Sequence, residues 1–201
     1  MSFDRKVKNM ESICNSADGF CFSPHPDNRG IIHVYGPMTV IPYSSDLNSE
    51  QLRKLFQIVY PTYDSMEIVA DNVPGYDATI LTGLTKEISE IISSQFPCAP
   101  LHSHLHDILQ EIRKLSYSVI YAVRRESVTD IVAAGNGRIF FLNTIHMKDP
   151  YETVYYVVKV WKELGFRLEM DRIWLSGFGD CNENFIRNIT LMTGENAICV
   201  L

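Results

Sequence analysis

The chain has 201 residues, of which 46% are hydrophobic and 21% charged, the proportions of an ordinary globular protein with no need of disorder. Eighteen basic residues against 24 acidic ones leave a net charge of -6, so no global field draws in a phosphate backbone and a dedicated nucleic-acid binder is excluded. No apolar run approaches the length that spans a bilayer, and the charged start Met1-Ser2-Phe3-Asp4-Arg5-Lys6 is not followed by the apolar core of a signal peptide. The expectation is a cytoplasmic protein.

The first thirty residues are polar, and Ser23-Pro24-His25-Pro26-Asp27 carries two prolines that forbid helix. Phe20-Cys21-Phe22 reads as a short strand, and Ile31 to Tyr35 and Met38 to Ile41 read as two more around Gly36-Pro37. Asn48 with Gln51 three residues later has the form of a capping box, opening a helix with Leu52, Leu55, Phe56 and Val59 on one face. Met66 to Ala70 and Tyr76 to Leu81 are strands. Thr85 caps a second helix that Pro97 closes, and Ser103 caps a third with Leu105, Ile108, Leu109, Ile112 and Leu115 on one stripe.

From Tyr117 the period changes. Ser118 to Arg124, Val128 to Ala133 and Arg138 to Ile145 are successive strands, and Gly135-Asn136-Gly137 is a hairpin signal because Asn and Gly accept the positive φ of a tight turn. Asp149-Pro150-Tyr151-Glu152 opens a helix carrying Val154, Val157, Val158, Trp161 and Leu164 and stopping at Gly165. Arg172 to Leu175 is a buried strand, Asp180 and Glu183 form another capping box, and Asn196 to Leu201 is a last strand. The order βββαβαβ is that of a ribonuclease-H-like unit, a three-stranded meander followed by parallel strands reached through helices. A similar order in the first half suggests the same topology twice, with residues 1–116 and 117–201 as two lobes across a cleft.

These segments resemble an uncharacterised bacterial family of unknown function with the actin-like ATPase fold, a superfamily that also holds sugar kinases and heat-shock chaperones. The resemblance runs from Thr39 to Leu201 and is most specific at Gly137-Arg138-Ile139-Phe140-Phe141-Leu142-Asn143-Thr144, then at Asp149 through Tyr155-Tyr156, Leu164-Gly165 and Ile173-Trp174-Leu175-Ser176-Gly177. A fainter echo is Val69-Ala70-Asp71-Asn72-Val73-Pro74-Gly75. It implies an α/β fold of two ribonuclease-H-like lobes in an actin-like ATPase arrangement, with mixed sheets and flanking helices, and it raises ATP with magnesium as the cofactor to test.

Working members of that superfamily bring a D-x-G-x-[ST] turn to the phosphates at the first hairpin of each lobe, where glycine admits the backbone and aspartate orients the magnesium shell. Tyr121-Ala122-Val123-Arg124-Arg125-Glu126-Ser127-Val128 has neither, and its arginines are expected as exposed hairpin residues. Asp18-Gly19-Phe20-Cys21-Phe22-Ser23 has the right residue types at the wrong spacing. The better remnant is Ser176-Gly177-Phe178-Gly179-Asp180, a strand-to-helix turn at which Ser176, Gly177 and Gly179 are the candidate nucleotide or anion site.

Other constellations carry less. His102-Ser103-His104-Leu105-His106 resembles the alternating histidines of zinc sites, but a helix beginning near Leu105 makes His104 and His106 diverge, so surface or cleft-lining histidines are expected and no metal ligand is assigned. A nuclease of this topology needs a carboxylate on its first strand, and Ser118 to Val123 has none. Five scattered cysteines without a C-x-x-C pair fit reduced thiols. No catalytic residue emerges. The leading expectation is a non-catalytic binding protein for a partner protein or small ligand. The alternatives are an ATP-binding enzyme or switch, and a metal-binding protein using the His102/His104 region.

Overall fold

The computed structural model describes residues 30–200 apart from 44–45, 126, 148, 150, 179–182 and 195–197. The strand expected at Phe20-Cys21-Phe22, the Asp18-Gly19 turn, Gly179 and the Asp180 cap lie outside the described residues.

Strands β1 (Ile32–Val34) and β2 (Met38–Pro42) lead into helix α1 (Ser49–Val59). The capping box forms as expected: Gln51 N–H donates to Asn48 Oδ1 at 3.0 Å, and Asn48 N–H donates to Gln51 Oε1 at 2.9 Å, a device that contributes about 1 kcal/mol. Strands β3 (Glu67–Asn72) and β4 (Ala78–Leu84) follow, then α2 (Lys86–Gln95), whose Ile88 N–H is capped by Thr85 Oγ1. The next segment departs from expectation. Leu101–Ser103 is a strand, β5, and helix α3 (His106–Ile112) starts three residues after Ser103, whose hydroxyl accepts from Leu105 N–H in the intervening turn. The strand exists because β1 lies alongside it in parallel, pairing His33 with His102; three residues cannot hold extended structure without a distant partner.

The second half follows its expected order closely. Strands β6 (Val119–Arg125), β7 (Val128–Gly135) and β8 (Arg138–His146) form the antiparallel meander, and Asn136 and Gly137 take φ of 51° and 72° in the two-residue turn between Gly135 and Arg138. Helix α4 (Tyr151–Glu163), with Tyr151 N–H capped by Asp149 at 2.9 Å, leads to β9 (Arg172–Ser176), helix α5 (Glu183–Thr193) and β10 (Ile198–Val200). Strands β9 and β10 run parallel to β6, giving the sheet order β10-β9-β6-β7-β8.

In the first half, β2-β4-β3 form an antiparallel sheet and β1-β5 a parallel pair, with β5 beside β3 and β2 beside β8. The two faces of the five-stranded sheet are covered differently. One carries α4 and α5, burying Val157, Trp161, Phe185 and Ile189 against Ile120, Ile131 and Ile173. The other is covered by the first half: Met38, Ile80, Leu105, Leu109 and Ile112 pack on Val119, Tyr121, Val132 and Trp174 in one cluster. Of the adjacent tyrosines, Tyr155 points to solvent and Tyr156 lines a groove beside β8. Among the described residues no helix is long and apolar enough to cross a membrane.

Candidate functional site

Three aspartates are buried among the described residues; Asp171 accepts from Ser118 N–H and Arg167 N–H, and the other two, Asp130 and Asp71, are both fed by the run His102 to His106. The first is Asp130 in the middle of β7, wholly buried. Arg125 Nε donates to its Oδ2 at 2.7 Å and Thr144 Oγ1 donates to its Oδ1 at 2.6 Å. His104 Nε2 lies 3.1 Å from Oδ2 but off the line of a hydrogen bond, and His104 Nδ1 has no partner. The imidazole is stacked on Tyr35 with centroids 4.5 Å apart, and the Arg125 guanidinium sits over the same tyrosine ring.

Hairpin geometry explains the pair. Arg125 faces Val128 and Val123 faces Asp130 across the β6–β7 turn, so Arg125 and Asp130 are diagonal neighbours on one face. Arg125 is therefore buried, at 8% exposure, and not the exposed hairpin cation that its position in the sequence implied. Burial pushes the Asp130 carboxyl up, but the Arg125 charge and the hydrogen bonds outweigh it and hold the group well below the usual carboxylate range. Burial drives the His104 imidazole the other way, down from 6.5, against the upward pull of Asp130. With Arg125 supplying the positive charge, His104 is the neutral member of the group. It is neither a surface nor a cleft-lining residue, because the turn after β5 carries it inward, where its backbone N–H donates to Val34 O.

The network extends to where β2 meets β8. Thr144 Oγ1 accepts from Met38 N–H at 3.0 Å, and Tyr60 from the end of α1 donates its hydroxyl toward Met38 O and Asn143 Oδ1 while accepting from Thr144 N–H. Burial raises the Tyr60 phenol to about 12, so it stays a donor.

The second carboxylate is Asp71, near the end of β3, its side chain 1% exposed. His102 Nδ1–H on β5 donates to Oδ1 at 2.8 Å, His106 Nδ1–H at the start of α3 lies 3.0 Å from both oxygens, and Ser103 N–H donates to Oδ2 at 2.8 Å. The two imidazoles sit 4.0 Å apart, tilted by 40°. Burial again pushes the carboxyl up, and the hydrogen bonds from His106 and His102 reverse it to a net lowering. The three nitrogen and oxygen atoms that could ligate lie within 4.8 Å of one another. His104 and His106 do diverge, as the helix start required, but His102 and His106 converge. The residue that unites them, Asp71, is some thirty positions away and went unassigned.

The turn at Ser176 and Gly177 has another character. Gly177 takes φ of 77°, and a Cβ there would collide with the Arg124 carbonyl at the end of β6, so the glycine is required by close backbone packing. Ser176 is hydrogen-bonded to Tyr121, whose phenol burial pushes up to about 12. Two hollows on the described surface lie elsewhere. One, of about 190 Å³, lies against Tyr117, Asn136, Phe166 and Asp171, and the other, of about 360 Å³, lies between Phe141 and Tyr156.

Comparison with known proteins agrees with this architecture. No curated protein matches the chain. A solved structure from Bacteroides thetaiotaomicron, described as a protein with actin-like ATPase fold and unknown function, superposes with a TM-score of 0.70 at 20% sequence identity. The match covers 82% of this chain and 64% of that one, so the chain spans less than two thirds of that protein's length. At that identity the likeness shows the fold, the actin-like ATPase fold expected above. A family model for proteins of unknown function, DUF3822, matches residues 30–190. With four-fifths of its length matched, the chain belongs to the DUF3822 family.

Proposed function

We propose that this is a non-catalytic actin-like-fold binding protein, cytoplasmic and built from two ribonuclease-H-like lobes, 1–116 and 117–201, whose scaffold serves a partner protein or small ligand without efficient ATP hydrolysis. The observation that carries the reading is the Arg125–Asp130 pair. In ATP-hydrolysing relatives the hairpin of the first two strands brings glycine and backbone amides to the phosphates. Here the matching hairpin turns its arginine inward to a buried aspartate, and freeing that arginine for a phosphate would strand the carboxylate. The apolar cluster shared by the two halves supports the reading, since Met38, Ile80 and Leu109 belong to one buried cluster with Tyr121 and Val132. Gly177 supports it too, because the room that a missing side chain provides there is taken up by the Arg124 carbonyl.

The test is a nucleotide titration followed by melting temperature and phosphate release. A ligand at a hundred times its Kd adds about 2.7 kcal/mol to stability, which raises the Tm of a domain this size by roughly 5–10 °C. The expected result with millimolar magnesium-ATP is a rise below about 1 °C and no phosphate release above a protein-free blank. A saturable rise with turnover rejects the proposal.

A further inference from the structure

We propose that Asp71, His102 and His106 form a binding site for one divalent transition-metal ion of the zinc class. Each ligand comes from a different element: Asp71 from β3, His102 from β5 and His106 from the start of α3. Both imidazoles present the same ring nitrogen, Nδ1, to the same carboxylate at 2.8–3.0 Å. A zinc ion with bonds of about 2.0–2.1 Å needs tetrahedral ligand atoms about 3.3 Å apart. The ion therefore takes the place of the protons now lying between nitrogen and oxygen; each nitrogen–oxygen distance widens by a few tenths of an ångström, and the two imidazole nitrogens, within 4.8 Å of each other, settle to the same spacing.

The remaining features match a built site. Ser103 N–H fixes Asp71 Oδ2 from behind at 2.8 Å, the kind of outer contact that orients a ligating carboxylate. Burial is graded: the Asp71 side chain is 1% exposed, His106 12% and His102 27%, so one side faces solvent and leaves a coordination position open. His33 stands opposite His102 in the β1–β5 register, and its imidazole lies 3.9 Å from Asp107, outside the ligand set. Two imidazoles and one carboxylate select zinc, cobalt or iron over magnesium and calcium, which take oxygen ligands. The bound ion adds a cross-link between a three-residue strand, a seven-residue helix and the end of β3.

The test uses the full chain, stripped with a chelator and titrated separately with Zn²⁺ by calorimetry and with Co²⁺ by visible absorption. One equivalent should bind, Co²⁺ should give the intense bands of a four- or five-coordinate nitrogen–oxygen site, and Zn²⁺ should raise the Tm. His102→Ala and His106→Ala should each weaken binding at least about tenfold, while His146→Ala, at the exposed Tyr63 contact, leaves it unchanged. Near-ultraviolet circular dichroism of each stripped variant checks folding, and His102→Gln and His106→Gln replace any alanine variant that fails it. Absence of saturable binding, or equal binding by wild type and both histidine variants, overturns the proposal. Neither outcome bears on whether magnesium-ATP binds, so this site and the reading above fail independently.

Discussion

Asp130 and Asp71 are both buried aspartates with imidazoles of the same five-residue run beside them, one at Asp130 and two at Asp71, yet they are different kinds of centre. Asp130 is closed. Its permanent cation comes from Arg125, its second oxygen is taken by Thr144, and its imidazole neighbour His104 is 5% exposed and pinned on Tyr35. Asp71 has no arginine or lysine among its hydrogen-bond partners, only two imidazoles and a backbone N–H, and one of those imidazoles reaches solvent. A carboxylate with a fixed counter-charge in a dry core is a structural joint. A carboxylate held by two exchangeable protons near the surface can trade those protons for a metal.

The contrast is most sharply broken at Asp130. Asp130→Ala leaves the buried Arg125 charge unpaired and should cost about 3–5 kcal/mol in urea denaturation; a loss below about 1 kcal/mol would mean the pair is not the joint described. The next effect is in pH. The His104 pKa is lowered in the folded chain, so the unfolded chain binds the extra proton first as pH falls. Its contribution to stability is complete above about pH 6.5 and declines below that by up to about 1.4 kcal/mol per pH unit until the folded pKa is reached. His104→Phe, which keeps the stack on Tyr35, should flatten that slope when unfolding free energy is measured from pH 7.5 down to 5; an unchanged slope contradicts a neutral buried imidazole. The smallest effect belongs to the open centre. Metal-free His102→Ala loses one hydrogen bond of a half-buried ring and should cost about 0.5–1.5 kcal/mol, and a loss as large as that of Asp130→Ala would make Asp71 a second closed joint.

Much of the fold was legible in the residues. The Asn48/Gln51 box, the Asn136-Gly137 turn and the Asp149 cap are local devices whose chemistry acts within four residues, and each forms where it was expected. The βββαβαβ order of the second half followed from such signals in sequence. Strand β5 was missed because its three residues become extended only against β1, about seventy positions earlier. Asp130 did leave a trace, a lone carboxylate among Val128, Ile131 and Val132, two residues beyond a hairpin and diagonal to Arg125. Asp71 left only a place in a stretch that echoed the family, with nothing to connect it to His102.

Apart from β5, the sequence alone determined which segments are helix, strand and turn, because capping, period and turn chemistry are short-range, and through their order it determined the fold class. Only the tertiary structure decided where the charges go. The inward turn after Ser103, set by the pairing of β5 with β1 and its packing on β3, sends His104 to one carboxylate and brings His102 and His106 together on another. Contacts across thirty or a hundred residues depend on how sheets stack, and no local pattern encodes that.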